Sequence, residues 1–259
     1  MNGSEIIDFI KWVAIIFPIL YFGYFLIPCG LSYYYFYVFR FEKFKDRKIY
    51  AERPTRADVW REIRASTSTI FIFSIGTALV REMIINGQTL VYFDWDAYPW
   101  WYHILGFFLI MVVHDAYLYW THRFMHIKGI FHRVHLTHHR SLYPTPFAVF
   151  SSHPIEAVIA YTIIPLLLIM IPIHLWLLIF YFIYNLFTNI QGHLGFEIFP
   201  KGFFQLPLIR FSATPTSHQI HHVHFNKNYG GYFNFWDRVM GTYSEEKPSS
   251  RKISAIRFQ

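Results

Sequence analysis

Four stretches of this chain are longer and more apolar than soluble folds tolerate, and they limit what it can fold into. Residues 10–38 are almost continuously apolar and aromatic, with Lys11 at the start and Arg40 just past the end. Residues 66–86 and 102–120 repeat the pattern, and residues 155–190 do so with breaks at Pro165 and Pro172. A helix crossing ~30 Å of hydrocarbon needs ~20 such residues. Each of the first three runs is read as one span, with Pro18 and Pro28 as possible kinks in the first. The last fits a helical hairpin with its tip near Pro172, either crossing fully or re-entrant. Composition agrees: 54% of residues are apolar, 22% aromatic and only 15% charged, well below the ~25% charged residues of soluble domains.

Charge sets the expected orientation. Residues 40–65 carry nine Lys/Arg against five acids, and lysine- and arginine-rich loops lie in the cytoplasm. This segment reads as a solvated basic linker, with docking of an acidic electron-transfer partner as the alternative. Residues 87–101 hold Asp94 and Asp96, no basic residue and an aromatic belt, as an outer loop would. The N-terminus is then outside and the C-terminus inside. The net charge of +7 is a topology signal beside apolar runs, so nucleic acid is not an expected partner. The single cysteine, Cys29, excludes an internal disulfide and a CxxC metal site. The first run lacks the features of a cleaved signal and is expected to be retained. The last residues carry no lipidation or retrieval motif.

The chemistry is concentrated in histidine. Residues 114–139 hold seven of the fifteen histidines, including His122-x3-His126 and His135-x2-His138-His139. The second spacing returns as His218-x2-His221-His222. Residues three and four apart share a helix face, so the pair is expected to point two imidazoles one way and each triple three. Imidazole suits Zn, Cu, Fe and Ni. Eight such histidines exceed the four ligands of a structural zinc and suit a dinuclear centre. His193, at the end of the hairpin, is placed to be a ninth. At ~100° per residue, Asp115 lies within about 20° of both His122 and His126, and it is expected to take the second N–H of one of those rings. His114 is turned about 80° from His122 and reads as a packing or hydrogen-bonding residue. His103 and His174 fall near the outer interface, His132 and His224 are off the cluster spacing, and His153 is undecided.

These motifs resemble those of the membrane fatty-acid hydroxylase and sterol desaturase superfamily. The resemblance covers about residues 55–243 and rests on YLYWTHRFMH, HRVHLTHH, PTPFAVFSSHPIEA, QGHLGFEIFP and SHQIHHVHFNKNYGGYFNFWDRVMGTY. The spacing of HxxHH, PTPF and HPIE is most similar to the sterol C5-desaturase (lathosterol oxidase) branch. The resemblance implies two non-haem irons, for which zinc can substitute in isolated protein. It also implies O2 and two electrons used to desaturate or hydroxylate an unactivated C–H bond of a lipid. Carried over, the ligands are His122, His126, His135, His138, His139, His193, His218, His221 and His222. Some relatives have a further histidine where this chain has Asn189, a weaker ligand or the holder of a water. No fused cytochrome b5 domain is expected, and the expected electron source is a separate donor such as a cytochrome b5 or ferredoxin.

The expected architecture is an all-α integral membrane protein of four to five transmembrane or re-entrant helices, under a cytoplasmic histidine-rich cap holding the dinuclear site. Residues 1–54 form an anchor and basic loop, 55–243 the catalytic domain and 244–259 a polar tail, in a bacterial inner membrane or the ER. Tyr143, Phe147, Phe150, Phe196 and Phe203 are candidates to line an apolar slot for the lipid. The competing readings are a metal transporter, which would place ligands along a path at mid-membrane, and a non-catalytic protein holding structural zinc.

Overall fold

A computed structural model describes residues 2–200, 202–207 and 209–246. Most of the expected tail, 247–259, lies outside the described residues. The protein is a helical bundle. Among the described residues, four helices are long and apolar enough to cross a membrane: α1 (Gly3–Phe39), α2 (Arg56–Ile85), α3 (Trp100–Met125) and, further along the chain, Leu175–His193. The shorter apolar helix α4 (Pro154–Met170) precedes the last of these, which is therefore α5.

Local sequence explains the boundaries. Asn2 with Glu5 and Thr55 with Asp58 form reciprocal capping boxes that start α1 and α2. Pro99 precedes α3, and Pro154 stands at the first position of α4, where its missing N–H costs nothing. Pro18 and Pro28 do not end α1. The helix continues through both, with π-helical turns over Ile19–Leu26, directly after Pro18, and again over Tyr34–Phe39. The outward faces of α1 and α3 remain apolar, with Ile10, Ile19, Phe108 and Val112 all exposed.

The hairpin of α4 and α5 runs the full depth of the bundle. Its tip, Ile173–His174, pairs in parallel with Val91–Tyr92 of the loop joining α2 to α3. Seventeen residues of α4 span ~26 Å at 1.5 Å each, close to the hydrocarbon thickness. The hairpin tip and the aromatic loop, with exposed Phe93, Trp95, Trp100 and Trp101, therefore share the distal end. All the histidine clusters lie at the other end.

Among the described residues, two large apolar clusters hold the bundle, beside a small one at Ile49, Tyr50 and Val223. One joins α3, α4 and α5 through Ile110, Met111, Ile164, Leu167 and Leu178. The other seats Phe25, Cys29 and Ile70 of α1 and α2 against Phe147 and Phe150. The PTPF turn is clamped to α2, since Thr145 donates its hydroxyl to Glu62 and Ser66 donates to the Phe147 carbonyl. The basic segment is more than a solvated linker. Lys48 bridges to Phe196, Ile49 N–H donates to the Gly195 carbonyl, and Tyr50 packs on Tyr143. It straps the end of α5 beside the histidine clusters.

Candidate metal centre

Each histidine cluster is delivered by a defined element. His122 lies in the last turn of α3, and His126 caps it. His135, His138 and His139 lie on consecutive short turns, Phe131–His135 and Leu136–His139. His193 ends α5. His218, His221 and His222 sit on α6 (Pro215–His224), started by a Thr214–Ser217 capping box. Helix α6 ends at Phe225, whose φ of 58° is left-handed, a region a bulky residue enters only under local constraint. Its ring lies 4.9 Å from that of His139 and closes that side of the site.

The nine histidines form two groups whose ligand atoms all lie within 4.8 Å of one another. His122, His126, His135, His139 and His221 make one, and His138, His193, His218 and His222 the other. This corrects the expectation that each HxxHH triple points one way. In both triples the residues four apart stay together and the middle histidine joins the other group. Neighbouring residues diverge by ~100° on a helix, so His138 and His139, or His221 and His222, cannot face one point. The two triples thus exchange members, and each group draws on both.

The tautomers show what the groups are built for. His122 Nδ1 lies 2.9 Å from the Tyr229 carbonyl, His138 Nδ1 3.3 Å from that of Ser151, His193 Nδ1 2.9 Å from that of Asn189 and His221 Nδ1 2.6 Å from that of Lys227. A carbonyl only accepts, so each Nδ1 carries the hydrogen and each Nε2 a bare lone pair. The Nε2 atoms of His138 and His193 then face each other at 3.5 Å with no hydrogen between them. His122 Nε2 and His135 Nε2 are buried without a partner. Facing lone pairs in a buried site call for a cation. Other Nε2 pairs stand 3.0–3.2 Å apart, near the ~3.0–3.4 Å edge of a polyhedron with metal–nitrogen bonds of ~2.1 Å. Burial, then neighbouring imidazoles, push His138, His139 and His222 far below the usual histidine range. They stay neutral and able to ligate. The donor set fits one metal ion per group.

Asp115 does not take a ring N–H. Its Oδ1 accepts the backbone N–H groups of Tyr232 at 2.9 Å and Phe233 at 3.0 Å. The partner of His122 is instead the Tyr229 carbonyl of the same loop. Asp237 holds that loop from its other side, accepting from Tyr229 and Gly230 at 2.9 and 2.8 Å. Gly230 is required there, because a Cβ would lie 2.1 Å from the Phe233 carbonyl oxygen. The carboxylate nearest a clustered ring is Glu156, whose Oε1 lies 2.9 Å from His135 Nδ1, though off the angle of a well-formed hydrogen bond. Its HPIE motif was visible in the sequence, but only the fold brings it under His135.

The remaining histidines lie outside both groups. His114 bonds to Tyr181 and Tyr232. His153 caps α4, and His103 and His174 bond within the distal end. His132 and His224 join neither group among the described residues. Asn189 donates to the Asn185 carbonyl and lines a cavity beside His193.

That cavity, of about 330 Å³, runs from the clusters into the bundle. His122, His135, His138, His193 and His218, drawn from both groups, wall one part, while Leu20, Phe73, Tyr161 and Ile164 wall the rest. Of the aromatics expected in a lipid slot, only Phe150 lines it. Phe147 is packed in the core, Tyr143 against Tyr50, and Phe196 against Phe36 and Tyr37. Phe203 lines a neighbouring pocket that shares Asn189, His193 and His218 with the cavity. Helix α1 supplies Leu20 and Tyr24 instead.

Residues 107–242 match the fatty acid hydroxylase family. The chain belongs to this family. The match opens within α3 and takes in all nine clustered histidines. A Delta(7)-sterol 5(6)-desaturase of Gibberella zeae is 30% identical over 90% of this chain and 69% of its own length. Human lathosterol oxidase is 31% identical over 74% of this chain and 62% of its own, and chicken methylsterol monooxygenase 1 is 32% identical over 59% and 51%. The chain spans about half to seven-tenths of the length of these relatives. No solved structure matches it. The HxxHH, PTPF and HPIE pattern that suggested the sterol C5-desaturase branch agrees with these relatives.

Proposed function

We propose that the protein is a membrane lipid oxidoreductase that uses O2 and a pair of irons to desaturate or hydroxylate an unactivated C–H bond of a sterol-like lipid. The observation that carries this reading is the meeting of the two imidazole groups at the wall of one largely apolar cavity. Membership of the family and its sterol-oxidising relatives support it. His122, His126, His135, His139 and His221 would hold one metal, and His138, His193, His218 and His222 the other, with Asn189 holding a water beside the second group. Bound there, the metals supply the activation of O2.

The chain's own residues bind, orient and exclude water. Backbone carbonyls fix the ring tautomers, Glu156 stands behind His135, and Phe225 and Tyr229 cover the five-histidine group. The apolar cavity keeps the reacting carbon dry. Residues 55–243 carry the chemistry in this reading. The site faces the cytoplasm of a multi-pass protein of the ER or a bacterial inner membrane. The basic segment 40–65 meets a separate donor such as a cytochrome b5 or ferredoxin.

Comparative lipid mass spectrometry of cells with and without the gene tests the reading. A lipid lacking two hydrogens indicates desaturation, and one carrying an added oxygen indicates hydroxylation. An unchanged lipid profile, with purified protein that holds only zinc and consumes no O2 with reductant and lipid extract, overturns it. Cysteines at Asp46 and Asn226 should label from one side of the membrane and a cysteine at Gln88 from the other; labelling of Asp46 and Asn226 from opposite sides overturns the topology.

A further inference from the structure

The cavity wall is not apolar throughout. His114 of α3, Tyr181 and Asn185 of α5 and Tyr232 of the covering loop form one hydrogen-bonded cluster deep in the bundle. His114, Tyr181 and Tyr232 are each more than nine-tenths buried, and His114, Tyr181 and Asn185 line the cavity that reaches the histidine groups. Polar side chains within spanning helices are costly and mark function more often than packing.

With the Asn185 amide as the donor to Tyr232, hydrogen counting gives this cluster a direction. The Asn185 amide donates to the Tyr232 oxygen. Tyr232 lies 3.2 Å from Tyr181 Oη and 3.2 Å from His114 Nδ1, and Tyr181 bonds to the same Nδ1. Two hydroxyls bring two hydrogens. If Nδ1 were the donor, one hydroxyl hydrogen would have no acceptor in the cluster. With Nδ1 accepting, every hydrogen in the group is placed. The imidazole hydrogen is then on Nε2. That atom has no protein partner among the described residues, and it is not among the fully enclosed unpartnered atoms. By contrast, the Tyr161 and Thr77 hydroxyls on the same wall bond each other at 3.0 Å.

We propose that His114 Nε2, oriented by Tyr181, Tyr232 and Asn185, is a specificity subsite that donates a hydrogen bond to an oxygen, hydroxyl or carbonyl, of the lipid in the cavity. The inference deepens the proposed function and rests on that reading for its ligand class. His114 precedes His122 by eight residues on one helix, ~12 Å along its axis. The anchored oxygen and the oxidised carbon therefore sit well apart, and the lipid is held by its polar end with the target carbon at the metals.

The test measures binding as well as turnover, on the full-length, iron-loaded protein in nanodiscs. Cholesterol is compared with its analogue lacking the 3-oxygen, and octadecanol with octadecane. Wild type should bind the oxygenated member of at least one pair roughly five- to tenfold more tightly, as one net hydrogen bond allows. His114→Phe should lose that preference, leaving affinity for the oxygen-free lipid and iron content unchanged. His114→Gln, which keeps a donor, should restore part of it. If His114→Phe does not fold, His114→Met carries the same test with a more adaptable side chain. A preference that survives loss of the donor, or is absent from wild type in both pairs, overturns the subsite. Preference for oxygenated lipids without turnover of any lipid would sink the oxidoreductase reading and leave the subsite standing. Turnover without preference would do the reverse.

Discussion

Buried histidines stand at both ends of this bundle, and they do opposite things. At the distal end, His103 Nε2 donates to the Trp95 carbonyl at 3.1 Å while Nδ1 takes the Tyr92 hydroxyl at 2.8 Å. His174 Nε2 donates to the Phe93 carbonyl at 3.0 Å, and its Nδ1 accepts from Trp176 N–H at 3.2 Å. Every ring nitrogen there has a partner. At the other end nine rings give Nδ1 to backbone carbonyls or leave it without a hydrogen-bond partner, and turn Nε2 toward one another. Six of the nine are as buried as the distal pair and His122, His126 and His218 are half-buried, so burial does not make a ligand. The decisive feature is whether the second nitrogen is left with a lone pair and a neighbouring lone pair to share a cation.

The largest contrast should come from substituting one ring at each end. His221→Ala and His135→Ala each remove a member of the five-histidine group and should abolish activity while leaving membrane insertion intact. Iron per protein should fall in both by inductively coupled plasma analysis. His103→Ala should leave iron unchanged. Substantial turnover in either first variant would remove that residue from the site, and loss of iron in His103→Ala would erase the contrast itself.

Acid should act next most strongly, and only on the clustered end. Burial holds His138, His139, His221 and His222 well below the ordinary histidine range. The folded state then binds fewer protons than the unfolded one below pH ~6.5. Stability from these groups is present above that pH and lost as pH falls. The melting temperature of metal-free protein should drop between about pH 7.5 and pH 5.5, and His→Ala variants in the cluster should flatten the slope. An equal slope in those variants would mean that other groups carry it.

Much of this was legible in the sequence, with a consistent boundary. Histidines four apart on one turn can be paired from the sequence, and all such pairs stay together: 122 with 126, 135 with 139, 218 with 222. The destination of His138 and His221 could not be read, because it depends on which helix packs opposite. Asp115 shows the same limit. Its helix angle was right for His122, yet the loop ending in Phe233 arrives first and offers two N–H donors. Glu156 lies twenty-one residues beyond His135 in sequence, and only the start of α4 brings it close. The slot aromatics failed for the same reason, since which face of PTPF meets the cavity is settled by α1 and α2.

A smaller effect should separate the two acids. Glu156→Gln keeps volume but removes the carboxyl facing His135, and loss of such an outer partner costs ~10–100-fold in metal affinity. Competition with a chelator measures it. Asp115→Asn should instead leave affinity within a few-fold and lower stability by ~1–3 kcal/mol, as a buried acceptor of two backbone N–H groups is weakened. If Asp115→Asn lost metal as strongly as Glu156→Gln, the loop from Tyr229 to Phe233 would be transmitting strain to His122.

The smallest expected effect tests the quiet end of the comparison. His174 has a structural role, because its Nδ1 caps the first turn of α5 and its Nε2 ties the hairpin tip to the aromatic loop. His174→Ala should cost ~1 kcal/mol of stability through the lost cap and leave iron content unchanged. Asparagine caps helices as well as any residue, so His174→Asn should recover most of that loss although it cannot replace an imidazole as a metal ligand. Recovery by asparagine identifies a cap. If asparagine failed and the variant lost iron as well, His174 would have to act on the distant site through α5, and the two ends could no longer be treated as independent.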